Sequence, residues 1–515
     1  MSRTYVLGVD IGTQGTKAVL CTERGDVVAE AFRASRLIET EPGAITEDPD
    51  DQFTATCETI AECIKKAGAG PRDVACLAID GQMAGVIGIG ADGRHVTPYD
   101  SWLDTRCGRF IEVMTDRVGD AVLMSTGNEP SFNHGPKILW WKSEHPDVFA
   151  RIHSFVQPGA YAAMRLCGLS GNDAFIDTTY LHFSGFADTA AGTWNEELCR
   201  AFELDPGKLP SIVGPEEIVG RVTTEAARLT GLAEGTPVAA GCGDTAASFL
   251  SCGAVEPGIC VDVAGTASVF SVTSDGFMPD AASRTLGCSR AVTPGLWHHY
   301  AYINGGGMNL EWFRKTIASV EPGALDVAGF DGLNELATAI RPAQSDPFFI
   351  PHVAGRVTPA APNLRGAWVN LSWSHTIGHL YRAVLEAVAL EYGIYLDAIR
   401  RLDPAFAFRE MRVTGGGAKS ALWNSIKADV AQTPVTLIGT GGGGPYGSAM
   451  LAAYAAGLAA DVREVAKTWV TTEPGVDPNP EMKSHYRSRG RRYESFLEAL
   501  SAASPGENEG AESDR

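Results

Sequence analysis

The chain has 515 residues, which is too long for a single core and favours two sizeable domains. Its 62 acidic and 42 basic side chains give a formal net charge of −20, which argues against a general nucleic-acid binder with its basic face. The 11 cysteines are scattered singly without a Cys-x-x-Cys pair, which is typical of reduced thiols and argues against a disulfide framework or a zinc knuckle.

The N-terminus runs directly into strand-like residues without a basic-then-apolar leader, and no apolar stretch is long enough to cross a bilayer. We therefore expect a cytoplasmic protein with no membrane partner and no nucleic-acid partner. The sequence leaves the oligomeric state open, with a homodimer as the candidate assembly.

The first half opens with a predicted three-stranded meander, because glycine turns separate its apolar runs. Alternating buried strands and amphipathic helices follow. The predicted strands cover residues 5–10, 17–20, 27–33, 74–79 and 238–241, and the predicted helices cover residues 50–67, 105–118, 135–142 and 158–166.

The second half repeats this plan, and a glycine-rich stretch at 439–447 opens its last predicted helix. We expect an α/β protein with open sheets covered by helices, divided into domains at 1–248 and 249–495. The tail at 504–515 has almost no apolar residue and is predicted to be disordered. The predicted strands cover residues 258–263, 267–272, 410–414 and 435–438, and the predicted helices cover residues 377–400 and 420–431.

Two related hairpins, at 9–17 and 261–268, are the most informative feature of the sequence. Each has an Asp at the end of an apolar run, a Gly-Thr turn and a second strand-like stretch. The exposed backbone N–H groups of such a turn can bind phosphate oxygens. One hairpin is a weak signal, but one in each half of the chain indicates two related domains facing each other across a nucleotide.

Asp10 in the first hairpin is a candidate Mg²⁺ ligand, directly or through water. The alternative is an ordinary hairpin with a turn-favouring Asp. A Rossmann fingerprint would need a helix after the glycines, and the exit here is strand-like. The candidate phosphate-binding residues of this hairpin are Thr13, Gln14, Gly15, Thr16 and Lys17.

Asp244 follows a predicted buried strand and precedes a run of small residues suited to a helix N-terminus. A carboxylate placed there, between two phosphate hairpins, suits a general base that takes the proton of an attacking hydroxyl. The alternative is a helix-capping Asp, which is common in proteins.

The triple glycine at 415–417 lies between a strand and a helix, a position at which a ligand can lie against backbone and helix N–H groups. The alternative is a mobile loop. His375 and His379 are four residues apart on a predicted helix, as in some zinc pairs, but no third ligand accompanies them. A packing or helix-terminal role is the better interpretation of these histidines.

Taken together, these segments resemble the FGGY family of carbohydrate kinases, within the actin-like ATPase superfamily, and are most similar to its xylulokinase branch. The resemblance extends to about residue 495. It is carried by residues 8–13, 81–83, 102–106, 135–140, 241–246, 265–266, 366–371, 379–386 and 415–419, with Trp423.

The resemblance implies two ribonuclease-H-like domains flanking a cleft, and ATP- and Mg²⁺-dependent phosphorylation of a ketopentose such as xylulose. It implies that Asp244 is the general base and that Asp10 lies near the metal. The second phosphate hairpin would be Gly265 and Thr266, and the adenine nucleotide site would include Gly416, Gly417 and Asn424. The implied sugar-binding residues are Gln82, Met83, Trp102, Asp104, Asp244 and Thr245.

Two positions depart from the pattern of xylulokinases. Ala84 stands where a sugar-contacting His is usual, and His134 is a candidate replacement. Asn370 stands where a Gly is usual, which concerns a turn more than the chemistry. The missing His leaves other substrates open, namely ribulose, L-xylulose, erythritol or another polyol, and gluconate. An actin- or Hsp70-like ATPase without a sugar substrate is a further alternative, although the sequence offers no C-terminal β-domain for it.

Overall fold

Two seven-stranded sheets, one from each half of the chain, form the framework of the molecule. The structure is a computed structural model that describes residues 4–317, 329–439 and 443–504. Residues 440–442 of the glycine-rich stretch and residues 505–515 of the predicted disordered tail lie outside the described residues. Within the described part, no helix is long and apolar enough to span a bilayer.

The first half of the chain supplies one large sheet, a smaller five-stranded sheet and eight helices among the described residues. Its strands are β1 (Tyr5–Gly12), β2 (Gly15–Thr22), β3 (Val27–Ala34), β4 (Ile38–Glu39), β5 (Ile45–Glu47), β6 (Val74–Gly81), β7 (Val86–Ile89), β8 (His95–Asp100), β9 (Ser154–Val156), β10 (Phe175–Asp177), β11 (Ala187–Asp188), β12 (Thr193–Trp194), β13 (Ser211–Val213), β14 (Ile218–Arg221), β15 (Pro237–Ala239) and β16 (Cys242–Gly243). Its helices are α1 (Pro49–Ala67), α2 (Gly108–Thr126), α3 (His134–Glu144), α4 (Pro146–Arg151), α5 (Pro158–Cys167), α6 (Glu196–Ala201), α7 (Thr224–Thr230) and α8 (Asp244–Ser251).

The second half supplies the other large sheet and the remaining described helices. Its strands are β17 (Ile259–Ala264), β18 (Ser268–Ser274), β19 (Gly287–Arg290), β20 (Trp297–Ile303), β21 (Phe348–Ile350), β22 (Ala367–Val369), β23 (Glu410–Thr414), β24 (Val435–Ile438) and β25 (Thr472–Val476). Its helices are α9 (Gly306–Trp312), α10 (Phe330–Thr338), α11 (Ile377–Leu402), α12 (Ala421–Ala431), α13 (Gly444–Ala455), α14 (Val462–Trp469) and α15 (Met482–Ala503).

The two large sheets share one topology. The first runs β3-β2-β1-β6-β15-β14, with β16 also pairing with β6, and the second runs β19-β20-β18-β17-β23-β24-β25. Each contains three neighbouring antiparallel strands (β1-β2-β3 and β17-β18-β20), then two strands parallel to β1 or β17, then an antiparallel edge strand. Strand β19 extends the second sheet beyond β20. The repeat inferred from the two hairpins is therefore a repeat of whole sheets, and the predicted α/β fold with two domains is confirmed.

The helices form outer layers and a layer between the sheets. On the outside, α1, α5 and α7 cover the first sheet, and α11, α12 and α15 cover the second. Helix α8 packs its Ala246, Ala247 and Leu250 against the first sheet and its Phe249 against the second. Helix α13 follows a strand of the second sheet but packs on the first sheet beside α8. The approach is so close that a Cβ at Gly8 would lie 2.0 Å from the carbonyl oxygen of Pro445.

The differences from the predicted elements have local causes. The strand predicted at 238–241 ends at Ala239 as β15, and pairing resumes only at Cys242 as β16, because Gly241 adopts a left-handed φ of 84°. The helix predicted at 105–118 continues to Thr126 through a kink at Val118, where φ is −151°. The boundary predicted between residues 248 and 249 falls inside α8.

The cysteines form no disulfide among the described residues, and the histidine pair lies at the start of α11. All 11 cysteines are free thiols. His379 caps the N-terminus of α11 together with Thr376, and His375 precedes that helix. Among residues 4–317, 329–439 and 443–504, no group of three or more potential metal-ligating side chains is close enough to hold an ion by itself.

Candidate active site

Three carboxylates converge beside the layer formed by α8 and α13. Asp10 on β1 and Asp80 on β6 are direct partners in a parallel pair of strands, so their side chains lie on the same face of the sheet. Asp244 is the first residue of α8 and comes from the neighbouring turn after β16. Asp10 and Asp244 were predicted from the sequence as site residues, and Asp80 was not.

The proximity of these carboxylates alters their protonation. Burial and, to a smaller extent, the charge of Asp244 raise the pKa of Asp10 to about 7, against the opposing effect of the charge of Lys17. Burial raises the pKa of Asp244 to about 6, although hydrogen bonds from Thr245 to its Oδ1 oppose the shift. Burial and the charge of Asp10 hold the pKa of Asp80 well above its usual range. The cluster therefore favours a bound cation or proton.

The carboxylate pair has unused acceptor atoms. Oδ1 of Asp10 and Oδ1 of Asp80 are both shielded from solvent and accept no hydrogen bond from the described residues. Oδ2 of Asp80 accepts a 2.6 Å hydrogen bond from the hydroxyl of Ser448 on α13. Unused, buried carboxylate oxygens are suited to a hard divalent cation such as Mg²⁺, which often uses one or two carboxylates together with water and phosphate oxygens.

The turn of the first hairpin is connected to the predicted sugar-binding residues. The indole Nε1 of Trp102 donates a 2.8 Å hydrogen bond to Oγ1 of Thr13, which donates in turn to Oε1 of Gln82 at 3.2 Å. The amide of Gln82 donates at 2.7 Å to Glu47, a buried residue on β5. The structure thus brings the predicted phosphate-binding turn together with Gln82 and Trp102.

The Gln82-Met83 segment also lies against the turn that precedes Asp244. A Cβ at Gly243 would lie 2.3 Å from the methyl carbon of Met83, so only glycine fits there without a shift of Met83. The hydroxyl of Tyr180 donates to the carbonyl groups of Gly81 and Cys242, which joins the ends of β6 and β16. The predicted base and the predicted sugar-binding segment are therefore neighbours in the structure.

Two other predicted sugar-binding residues are held by protein groups. His134 is buried, and its Nε2 lies 2.6 Å from the carbonyl oxygen of Met83. Burial lowers the pKa of His134 to about 4, so its ring is neutral near pH 7. Asp104 is buried in an ion pair with Arg106 and accepts a hydrogen bond from the backbone N–H of Ile45. Both residues support the walls of the site in this structure.

Some predicted phosphate-binding residues are not brought together with Asp10. Thr16 is buried and is the cross-strand partner of Ile11. Its side chain therefore lies on the face of the sheet opposite to Asp10. Lys17 shares the face of Asp10 but forms a 2.8 Å ion pair with Glu30. At the tip of the turn Gln14 is exposed, and Gly15 pairs with Gly12.

The second hairpin borders a cavity of about 800 Å³. Helix α9 fixes this hairpin, because the N–H groups of Gly307 and Met308 donate to the carbonyl groups of Gly265 and Thr266. Gly417 touches the hairpin so closely that a Cβ there would lie 2.7 Å from Cβ of Ala264. Cavity walls combine glycine backbone with apolar and aromatic side chains, from Ala264, Gly265, Thr266, Gly307, Met308, Leu310, Phe330, Asn334, Tyr381, Gly416, Gly417, Lys419, Ser420 and Trp423 among others.

Comparison with known proteins is consistent with this geometry across both halves of the chain. The model of the "FGGY family of carbohydrate kinases, N-terminal domain" matches residues 5–251, and the model of the C-terminal domain of the same family matches residues 260–456. The chain belongs to the FGGY family of carbohydrate kinases. Members of this family are ATP-dependent kinases, and the sugar-kinase activity inferred from the sequence is confirmed at that level.

Relatives of this FGGY kinase include xylulose kinases and gluconokinases. A xylulose kinase from Escherichia coli (strain K12) is 29% identical over 458 residues, which cover 87% of this chain and 90% of that protein. A gluconokinase from Bacillus subtilis (strain 168) is 27% identical over 462 residues, covering 88% of each. The crystal structure of a xylulose kinase from Rhodospirillum rubrum superposes with a TM-score of 0.86 at 29% identity, covering 96% of this chain and 99% of that one.

In the kinase, the cavity beside the second hairpin accommodates only part of the predicted adenine site. Gly416 and Gly417 line it, whereas Asn424 is buried and donates from Nδ2 to the carbonyl oxygen of Ala418. The cavity is also lined by Tyr381 on α11 and Phe330 on α10, which were not among the predicted site residues. Both lie far from the glycine turn in the sequence. Phe330 lies in none of the motifs, and Tyr381 lies in the segment 379–386 that carries the family resemblance, but neither position indicated a role at the nucleotide site; the packing of α10 and α11 brings both to the cavity.

Asp80, by contrast, left a readable signal in the sequence. It ends an apolar run just as Asp10 does, and the two runs form adjacent parallel strands. Side chains at the carboxyl ends of adjacent parallel strands meet at one edge of the sheet. Glu47 left no comparable signal, because it becomes part of the kinase site only through the small sheet that β5 joins.

Proposed function

We propose that this kinase transfers the γ-phosphoryl group of ATP to a hydroxyl group of a ketopentose such as xylulose, with Asp244 as the general base. The observation that carries the proposal is the position of Asp244, because the residue before it, Gly243, lies against Met83 and its own charge acts on the neighbouring Asp10–Asp80 pair. A base placed between a sugar-binding segment and a phosphate-binding hairpin can accept the proton of a hydroxyl that attacks phosphorus.

Asp244 has the properties that this role needs. Its pKa of about 6 keeps it ionised at pH 7 to 8 and makes it a stronger base than an ordinary aspartate. Thr245 holds Oδ1 through its backbone N–H and its hydroxyl, which fixes the orientation of the carboxylate. Its place at the N-terminus of α8 directs backbone N–H groups toward the same region, where they can stabilise phosphate oxygens.

Asp10 would hold Mg²⁺, directly or through water, and its unused buried oxygen fits this role. Bound Mg²⁺ would neutralise charge on the ATP phosphates. We place the adenosine part of ATP in the cavity beside Gly265, Thr266, Gly416 and Gly417. The proposed domains are residues 1–248 for sugar and phosphate and residues 249–495 for the adenine nucleotide.

On the sugar side, Gln82, Met83 and Trp102 would contact the substrate, with Thr245 beside the base. Gln82 and Trp102 are already oriented by hydrogen bonds through Thr13 and Glu47, so little entropy is lost when a sugar binds. His134 and Asp104 would act mainly by holding the Met83 segment and the turn after Trp102. The free thiols support a reducing, cytoplasmic compartment.

Gluconate is the second candidate substrate. It is favoured by the gluconokinases among the relatives and by Ala84, which offers no imidazole to a ketose. A coupled ADP-release assay over D-xylulose, D-ribulose, their enantiomers, erythritol and gluconate tests the proposal. We expect the highest kcat/KM with a ketopentose. A preference for gluconate would replace the substrate, and basal ATP hydrolysis that no member of the panel stimulates would overturn both proposed substrates.

A further inference from the structure

Asp80 is the charged group of the site that the proposed mechanism does not use. Its side chain has no solvent exposure, and its Oδ1 accepts no hydrogen bond from the described residues. Across the described ranges, no Lys, Arg or His forms an ion pair with it. A buried carboxylate without a cation is costly, and burial holds the pKa of Asp80 well above its usual range.

The surroundings of Asp80 orient its carboxyl group toward Asp10. Ser448 on α13 donates to Oδ2 at 2.6 Å, which leaves Oδ1 for another partner. At the first residue of α13, a Cβ on Gly444 would lie 2.6 Å from Oδ1 of Asp80 and 3.2 Å from Cγ of Asp10. Glycine therefore keeps the space beside both carboxylates free of side-chain atoms.

Another buried Asp shows how such a charge is compensated when its role is structural. Asp262 on β17 is equally buried, but it pairs with the ammonium group of Lys427 and accepts a 2.7 Å hydrogen bond from the hydroxyl of Tyr392. Among the described residues, Asp80 accepts a hydrogen bond from the Ser448 hydroxyl, and the charges that act on it are those of the carboxyl groups of Asp10 and Asp244. When Asp80 is ionised, its compensating positive charge comes from outside the described protein groups.

We propose that Asp80 is a second carboxylate ligand of the divalent cation held by Asp10, and that Ser448 is the positioning residue that orients it. The inference rests on the proposed function, which places Mg²⁺ at Asp10. Two carboxylates with water and phosphate oxygens are a normal donor set for Mg²⁺, so no third protein ligand is needed. Ser448 belongs to α13, which follows a strand of the second sheet and packs on the first. Ion binding would therefore also strengthen the contact between that helix and the first sheet.

The test is a titration of the full-length enzyme with Mn²⁺, followed by electron paramagnetic resonance, alone and with saturating ADP. We expect Asp80→Asn to weaken Mn²⁺ binding about tenfold or more, since even outer-shell partners of metal sites contribute about 10–100-fold. Ser448→Ala should weaken it less, because it removes the orienting hydrogen bond and keeps the charge. Asp177→Asn is the matched control, since Asp177 is also buried with a pKa raised to about 7, but its carboxylate is satisfied by Thr179.

Thermal unfolding supplies the second measurement and checks folding. In EDTA at pH 8, Asp80→Asn should raise the unfolding temperature, because it removes a fully buried carboxylate that forms no ion pair with a Lys, Arg or His of the described residues. The same variant should lose most of the Mn²⁺-dependent rise in unfolding temperature that wild type shows.

The outcomes separate this inference from the proposed function. Mn²⁺ affinity of Asp80→Asn within twofold of wild type would overturn the role of Asp80, and Asp10→Asn would show whether the metal site itself stands. Failure of wild type to bind Mn²⁺ in both conditions would also overturn the inference. A lack of sugar phosphorylation by wild type would contradict the proposed function while leaving the Mn²⁺ result interpretable.

Discussion

The hairpin of β1 and β2 and the hairpin of β17 and β18 both carry an Asp shortly before a Gly-Thr turn, but they use it differently. One residue separates Asp10 from Gly12, whereas two residues separate Asp262 from Gly265. Successive side chains of a strand point to opposite faces, so the extra residue reverses the direction of the carboxylate. Asp10 faces the layer of α8 and α13, and Asp262 faces the outer core of α11 and α12.

Val263, two residues before Gly265, therefore occupies the place that Asp10 has in the first hairpin. It packs toward α8 with other apolar residues. The second hairpin thus offers backbone groups to the cleft but no carboxylate, while the first offers both. This difference teaches that a repeated hairpin need not repeat the direction of its carboxylate, and it places the carboxylate cluster on the side of the first sheet.

The largest effect should follow from the base beside the first hairpin. Asp244→Asn should lower kcat about 10²–10⁴-fold, the usual contribution of a positioned general base. Nucleotide affinity, measured by calorimetry with ADP, should stay near that of wild type, because the cavity of the second hairpin is unchanged. Near-normal turnover in the coupled ADP assay would remove Asp244 from its proposed role.

The matched pair Asp10→Asn and Asp262→Asn tests the comparison directly. Asp262→Asn leaves the ammonium group of Lys427 buried without its counter-charge, and we expect it to lower the free energy of unfolding by about 3–5 kcal/mol. Asp10→Asn removes a carboxylate with a raised pKa, so it should keep or raise stability at pH 8 while it severely lowers activity.

Urea unfolding and kinetic assays of both variants provide the measurement. A double variant, Asp262→Asn with Lys427→Met, serves as the control and should recover part of the lost stability, because it removes the uncompensated charge. Equal stability losses for Asp10→Asn and Asp262→Asn would show that the two carboxylates have the same structural role, against the opposite faces seen here.

Much of the fold could be predicted from the sequence, because periodicity and turn residues act locally. The strand predicted at 410–414 is β23 and that at 435–438 is β24, with the same bounds in the structure. The hairpins were readable for the same reason, since an Asp, a Gly and a Thr within a few residues determine a turn. The position of α13 was not readable, because a helix that leaves one sheet and packs on the other depends on contacts such as Gly8 with Pro445.

The site was predictable where a motif lies at the end of a strand, and only there. Asp10, Gln82 and Asp244 lie at such ends and do cluster. Thr16 was grouped with Asp10 by closeness in sequence, although strand alternation puts it on the opposite face. Asn424 was grouped with the glycine turn by resemblance. In the structure it is buried in the first turn of α12 and donates a hydrogen bond to the carbonyl oxygen of Ala418.

The pH dependence should report the burial of Asp244. A raised pKa means that the carboxyl group stays protonated to higher pH, and a general base must be ionised. At saturating Mg²⁺ and ATP, kcat/KM for the sugar should fall as the pH drops through about 6, close to tenfold per unit at lower pH. A profile that stays flat down to pH 5 would contradict this assignment, and a parallel profile of unfolding temperature distinguishes it from acid denaturation.

The smallest effect concerns the connection between the first hairpin and the sugar side. Trp102→Phe keeps the aromatic surface but removes the 2.8 Å hydrogen bond to Thr13, a neutral bond worth about 0.5–1.5 kcal/mol. We expect KM for the sugar to rise by up to about tenfold, while KM for ATP stays unchanged because the second hairpin is tied to α9 and makes no such contact. An equal rise in both KM values would show that Trp102 supports the cleft as a whole, and that the two hairpins are less separate in function than their opposite carboxylates indicate.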